Sequence, residues 1–211
     1  MRVGPKYKIA RRLGESIFSK TQTPRFAMVE GKKKTNISKK RKHRSNLTEY
    51  GIQFLEKQKI RLSYGLTEKQ LSNIVKAARK KRSIGINMTA AQIVYRDLES
   101  RIDNTLYRLG LAPTRASGRQ MVTHGHVLVN NKKVNSPSYS MKIADRMAIS
   151  SKGIEGGLMR GRAEKALQTH APTWLALDEK TLEGTVLSEP KLGEQDSHLN
   201  FGILVQFYSR V

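Results

Sequence analysis

Four arginines carry the clearest chemical signal in this chain. Arg115 and Arg119 stand four apart, so on a helix they share one face. Arg101 and Arg108 stand seven apart and would project together from the preceding helix. An arginine in the first turn of a helix opposes the helix dipole, so Arg115 asks for a reason beyond helix formation. Unpaired N–H groups at a helix N-terminus favour an anion, and a flanking guanidinium adds the paired donors that suit a phosphate. Thr114, as the cap, and Gln120, beside Arg119, complete the set. The chemistry this implies is a non-covalent grip on a polyanion. Four ordinary solvent-facing arginines are the plainer alternative, and they would leave Arg115 unexplained.

Other arrangements promise less. His124 and His126 are two apart and could face one side of a strand, but two ligands without further donors do not make a metal site. The chain has no cysteine, which removes disulfides and thiolate-bound zinc. Gly153 and Gly156-Gly157 are too irregular for a nucleotide-binding fingerprint. No Ser/His/Asp arrangement or pair of acids suggests catalysis, and no cofactor is expected. The two histidines are instead expected to touch the polyanion or to pack in a turn.

Charge sets the partner class. The 211 residues hold 40 Lys and Arg against 17 acids, a net charge of +23, an excess that a polyanionic partner would neutralise. The distribution is uneven: residues 1–50 carry 15 basic and 3 acidic side chains, whereas residues 166–211 carry 3 and 6. The basic part should therefore meet the partner and the acidic tail fold against its own chain. Lys32–Arg44 packs eight cations into thirteen positions without helical or strand period, a loop or disordered run in the free protein. Within it Lys39, Lys40, Arg41, Lys42 and Arg44, with Arg11 and Arg12 upstream, are expected on phosphates, each contact releasing counterions. A nuclear-localisation reading of that run has weak specificity.

No stretch reaches the ~20 apolar residues of a spanning helix, and basic residues interrupt every N-terminal apolar cluster, so no signal peptide is read. A cytoplasmic soluble protein is the default. A membrane-surface protein is a rival, but its best helix, Thr67–Arg82, lacks an interfacial Trp or Phe.

The elements that would position these residues can be read in order. Thr48 caps a helix to about Tyr64, with Ile52, Leu55, Lys59 and Leu62 as an imperfect inner stripe and Gly65 as its stop. Thr67 and Gln70 form a capping box for a second helix whose inner face is Leu71, Ile74, Val75 and Ala78. Its last turn crowds Arg79, Lys80, Lys81 and Arg82, more cations than the dipole needs. A third helix is expected from Thr89 to Leu109, because Val94, Leu98, Ile102, Leu106 and Leu109 run as one stripe. Ser100 with Asp103 could mark a new start, but the unbroken stripe argues against it. Gly110 and Pro113 end that helix, and Thr114 caps another over Arg115–Thr123. Val127–Val129, Asn130-Asn131 and Lys132–Val134 read as a hairpin, since Asn tolerates positive φ. Met141–Ile143 and Met147–Ile149 are further strand candidates.

Here the residues carry a resemblance. Arg115-Ala116, Arg119-Gln120-Met121-Val122, His124 through Asn130, Lys132-Lys133-Val134-Asn135 and Ser136-Pro137-Ser138-Tyr139 resemble the S-four-type (alpha-L) RNA-binding module. More widely the chain is similar to the family of bacterial-type small-subunit ribosomal protein four. Gly4-Pro5-Lys6, Tyr50-Gly51-Ile52-Gln53, Glu56-Lys57-Gln58-Lys59, Tyr64-Gly65-Leu66, Leu182 through Val186 and Phe207-Tyr208-Ser209-Arg210 support this, in order and over nearly the whole length.

The resemblance implies an α+β fold, a mostly helical discontinuous domain with an inserted small RNA-binding module of two helices plus short antiparallel strands. Residues 1–88 completed by 165–211 would form the helical domain and 89–164 the module with its linker. It implies a structural constituent of the small ribosomal subunit that binds structured rRNA directly, near its 5′ domain, in early assembly. It further implies a place beside neighbouring small-subunit proteins near the channel through which mRNA enters, and an influence on decoding fidelity. The compartment would be a cytoplasmic or an organellar ribosome. RNA-binding residues would include those named above together with Lys132 and Lys133 on the hairpin. Replacing Arg115 and Arg119 by alanine would then weaken RNA binding and leave the melting temperature nearly unchanged. Aromatic residues make up only 6%, which favours structured over single-stranded RNA.

The chain departs from the family at three places. Tyr7 and Ala10 stand where many members carry Cys-x-x-Cys, so their zinc is not expected. Asn131 replaces a usual turn glycine, and Ile143-Ala144-Asp145 lacks the usual Pro-Gly; both changes should slightly stiffen the turns. Finally, Arg101-Ile102-Asp103 superficially matches the core of pseudouridine synthases, where the aspartate is a nucleophile. A mid-helix position in a packing stripe, and no room for a catalytic domain, argue against that enzyme.

Overall fold

Turn chemistry and apolar spacing divide the chain into helices first and a sheet second. The structure, a computed structural model, describes residues 3–29, 47–85, 87–151, 153, 171–178, 181–193 and 198–210. The Lys32–Arg44 run, with Lys39, Lys40, Arg41, Lys42 and Arg44, lies outside the described residues. Two units emerge, Met1–Arg79 with His198–Val211 and Lys80–Ser197.

In the first unit, α1 (Lys6–Leu13) buries Ala10 and Leu13 and stops at Gly14, which takes the left-handed φ of 76°. Helix α2 (Glu49–Ser63) starts at Thr48, whose hydroxyl accepts the Gly51 N–H at 3.2 Å. Helix α3 (Glu68–Ser83) starts at the Thr67–Gln70 capping box, with both reciprocal bonds formed at 3.0 and 3.3 Å. Late in the chain, α7 (Phe201–Ser209) is capped by Asn200 and packs on α2.

The inner face of α2 differs from the expected stripe. Gln53, Lys57 and Ile60 are buried, whereas Ile52 is exposed. The reason is Lys57, whose stem packs inward while its ammonium lies 4.8 and 4.7 Å from the Phe54 and Phe207 ring centroids and 2.9 Å from Glu68. Glu68 also accepts the Tyr208 hydroxyl at 2.6 Å. Burial would raise the Glu68 carboxyl, but the bonds from Tyr208 and Lys57 outweigh it and hold the group below its ordinary range; burial and Glu68 both push Tyr208 up. The C-terminal helix is thus fastened to α2 and α3 by one shared carboxylate.

In the second unit, α4 (Ala90–Glu99) begins at the Thr89–Gln92 capping box and is followed by α5 (Ile102–Arg108) and α6 (Arg115–Thr123). The stripe Val94, Leu98, Ile102, Leu106 and Leu109 is fully buried, yet two helices carry it where one was expected. Arg101 is extended, with φ −68° and ψ 136°, and serves as the N-cap residue of α5. The break occurs because the backbone there pairs outside the helix: Ile102 N–H donates to Tyr139 O at 2.9 Å, and Met141 N–H donates to Ser100 O at 2.7 Å. The isolated bridge this makes joins Arg101 to Ser140, and Met141–Ile143, expected as a strand, does not form one.

The hairpin of β1 (Val127–Val129) and β2 (Lys132–Lys133) forms with Asn130 and Asn131 at φ 48° and 64°, the pair of positive values a two-residue turn needs. With β3 (Arg146–Ile149), β4 (Leu175–Leu177) and β5 (Gly184–Val186) it makes an antiparallel sheet ordered β2-β1-β3-β5-β4. The division expected to give all of 165–211 to the helical domain is therefore redrawn. Strands β4 and β5 extend this sheet through β3, because Leu175 and Val186 point into its core, and only 198–211 returns to the first unit. The core joins Ile102, Leu106 and Leu109 of the helices to Val127, Val129, Met147 and Trp174. Burial of each such aliphatic side chain contributes on the order of 2 kcal/mol. The α+β class and the small antiparallel sheet stand as expected.

Ala144 adopts φ 69° in the turn before β3, at the place of the missing glycine. A Cβ in that conformation costs about 1–2 kcal/mol. Ala144→Gly should accordingly raise the urea midpoint followed by fluorescence of Trp174, the single tryptophan, and Ala144→Val should lower it; a lower midpoint for the glycine variant would contradict the strain assigned here.

Candidate nucleic-acid interface

The four arginines singled out by spacing converge on two buried carboxylates. Asp103, in the first turn of α5, receives Arg101 at 2.9 Å and Arg119 at 2.7 Å. Glu99, the last residue of α4, has a side chain with no exposed surface and receives both Arg108 Nε and Nη2 at 2.8 Å. Asn104 joins the two ends, donating to Glu99 Oε2 at 2.9 Å and accepting Arg115 Nε at 2.7 Å. The Arg115 guanidinium also lies 4.6 Å from the Tyr107 ring centroid. Gly118 lets α6 come this close, since a Cβ there would stand 2.6 Å from the Asp103 carbonyl oxygen. Removing a charge from water is costly unless it is paired and hydrogen-bonded, and paired bidentate geometry supplies both here.

These arginines are therefore not a free surface. Arg101 is buried, and it faces Asp103 and the Pro137 carbonyl, while Arg108 faces Glu99; the two do not form the common outward face expected from their spacing. Because Arg119 pairs with a carboxylate only 3% exposed, the geometry argues against the expectation that alanine at Arg115 and Arg119 would leave the melting temperature nearly unchanged. Glu99 and Asn104 escaped the sequence reading. Their signal was an acid and an amide buried along an apolar stripe in a chain poor in acids.

Outside the network lies a second, exposed group. Thr114 caps α6 by accepting the Ser117 N–H at 3.1 Å. Gln120, Thr123 and His124 are exposed along one side of α6. His124 and His126 hold their ring centroids 6.1 Å apart across Gly125. A Cβ on Gly125, which has φ 71°, would stand 2.6 Å from Lys133 Nζ, so the glycine leaves the room that this lysine occupies. Lys132 and Lys133 are exposed on β2, and Arg119 keeps a quarter of its side chain in solvent. Lys133 therefore lies against the turn that links α6 to the hairpin, with His124 and His126 flanking that turn.

The remaining candidates lie apart in the chain. Lys80 and Arg82 are exposed at the end of α3, Lys81 pairs with Asp97 at 2.7 Å, and Arg79 donates to the Tyr208 carbonyl at 3.1 Å, capping α7. Arg12 is exposed on α1, and Arg11 stacks 5.9 Å from the Phe26 ring centroid. Among the described residues no three His, Cys, Asp or Glu side chains gather as metal ligands would, and no helix is long and apolar enough to cross a membrane. Asp103, bound by two guanidinium groups within the core, is not placed as a nucleophile.

The network makes a stability prediction. Arg108→Ala leaves the Glu99 carboxylate buried without its bidentate partner, and breaking a buried pair in this way costs about 3–5 kcal/mol. A urea titration followed by Trp174 fluorescence should show that loss; an unchanged midpoint would mean that the pair contributes nothing to folding.

Comparison with known proteins agrees with this geometry. Residues 100–146 match the S4 domain, and residues 2–94 match the ribosomal protein S4/S9 N-terminal domain. The small ribosomal subunit protein uS4 of Chromobacterium violaceum is 37% identical over 211 residues, which covers 99% of this chain and 98% of that protein. The protein of that name from Streptococcus suis is 37% identical over 211 residues, covering 99% and 97%. Small ribosomal subunit protein uS4A of Psychromonas ingrahamii is 36% identical over 213 residues, covering 99% and 98%. On identity sustained over almost its entire length, the chain belongs to the small ribosomal subunit protein uS4 family.

Proposed function

We propose that this chain, a structural constituent of the small ribosomal subunit, binds structured small-subunit rRNA directly through the corner built from α6 and the β1–β2 hairpin. One observation carries the reading: Gln120 and His124 are exposed on and just after α6, which also holds the partly exposed Arg119, and the exposed Lys133 lies against the turn at Gly125 that follows. Exposed cations and amides on a rigid helix and hairpin suit the phosphate backbone and folded shape of an RNA. The exposed cations at the end of α3 and on α1 add to the same electrostatic pull.

Family membership supports three further elements: binding early in assembly, contact with neighbouring small-subunit proteins, and a position near the channel through which mRNA enters, with an effect on decoding fidelity. The +23 charge supports direct contact with RNA over a role confined to protein contacts.

Filter binding of the full chain to a transcript of the small-subunit rRNA 5′ domain tests the central element. With ~6–10 phosphates contacted, affinity should fall roughly 10³–10⁵-fold between ~50 and ~200 mM salt. Lys132→Ala with Lys133→Ala should weaken binding and reduce the salt slope by about 2, about one per lost phosphate contact. A nearly flat salt response would contradict the proposal.

A further inference from the structure

Burying Arg101 and two carboxylates, with three partly buried arginines around them, beside a core of leucine, isoleucine and valine is an odd way to gain stability. Replacing buried ion pairs by packed apolar residues is often neutral or stabilising, so their presence calls for an orienting role. The geometry supplies one. Arg119 is held by two bonds to a single Asp103 oxygen, from Nε at 3.0 Å and Nη2 at 2.7 Å. Arg101 grips the same carboxylate, through Nε to Oδ1 at 3.1 Å and Nη2 to Oδ2 at 2.9 Å, so both oxygens of Asp103 are held. Arg115 is fixed in the same manner through Asn104, which Glu99 anchors. Asp103 is almost wholly buried, whereas a quarter of the Arg119 side chain reaches solvent next to Gln120.

We infer that Asp103 and Glu99 are positioning residues of the RNA-binding corner: they hold the guanidinium groups of Arg119 and Arg115 in one orientation on α6 before any RNA arrives. This rests on the RNA-binding reading above. A flexible arginine loses rotamer freedom when it binds a phosphate, and a side chain already held by a carboxylate loses less. The acids thus assist the binding of an anion although each carries the same sign as the phosphates.

Removing the Asp103 charge therefore has opposite effects on RNA binding under the two roles. Asp103→Asn keeps the shape and one acceptor oxygen but makes the chain more positive. If the carboxylate were only an electrostatic bystander, the variant would bind RNA more tightly. As a positioning residue its loss should weaken binding about tenfold and lower the salt slope by about 1, as for a lost phosphate contact. Asp103→Glu, which retains the charge, should recover part of the affinity. The measurement is filter binding of wild-type and variant full chains to the same 5′-domain transcript, with Trp174 fluorescence confirming that each is folded. Equal or tighter binding by folded Asp103→Asn overturns the inference while leaving the RNA-binding reading intact; absence of salt-dependent binding by the wild type removes both. If Asp103→Asn does not fold, Glu99→Gln is read by the same criteria. Failure of both to fold assigns the network to folding alone and overturns the inference.

Discussion

Two carboxylates, Asp103 and Glu99, set the conditions for the second unit. Each is buried, so each must be met by donors that replace its lost hydration. Meeting that demand draws together the end of α4, the start of α5 and the first turns of α6, because the donors sit on Arg101, Arg108, Arg115 and Arg119. The helix break at Ser100–Arg101 and the close approach at Gly118 are parts of one arrangement: the break turns Asp103 into a first-turn acid, where the helix dipole also favours it, and the glycine brings α6 within reach. The helices so fixed cover the sheet's core residues, and the hairpin leaves both its lysines exposed.

The first unit solves a similar problem with a different outcome. Lys57 is buried between two aromatic rings and reaches Glu68, which Tyr208 also engages. Here a single shared carboxylate ties the C-terminal helix to α2 and α3, closing a domain whose parts are far apart in sequence. In both units a scarce acid in a basic chain is spent on tertiary structure, leaving exposed cations such as Lys80, Arg82, Lys132 and Lys133 for a partner.

Much of this was legible without coordinates, and the failures are physical. Thr48, Thr67 and Thr114 cap helices where their side chains predict, because capping is a local interaction, and Thr89 caps the helix expected to start there. The two-asparagine turn is likewise local. The Ser100–Arg101 break was missed because Tyr139 and Met141, almost forty residues away, supply the backbone bonds that replace a helical turn. The wrong face of α2 had a related cause, since nothing in the local pattern announces that Lys57 finds two rings and an acid to lie against. Strands β4 and β5 were assigned to the wrong domain because pairing partners cannot be read from an alternation of three residues. The site was half legible: the spacing of the arginines found the right helices, but only the fold reveals that their first obligation is to Asp103 and Glu99.

The arginines tied to Asp103 and Glu99 thus shape α6, and the side chains left in solvent on α6 and the hairpin are the ones that would meet RNA. Hydroxyl-radical footprinting of naked small-subunit rRNA by the full chain, at physiological salt, tests that claim most directly. Strong protection of the sugar backbone, confined to a few structured junctions, is expected for recognition by shape and phosphate position. Uniform weak protection along the whole RNA, or none, would contradict it.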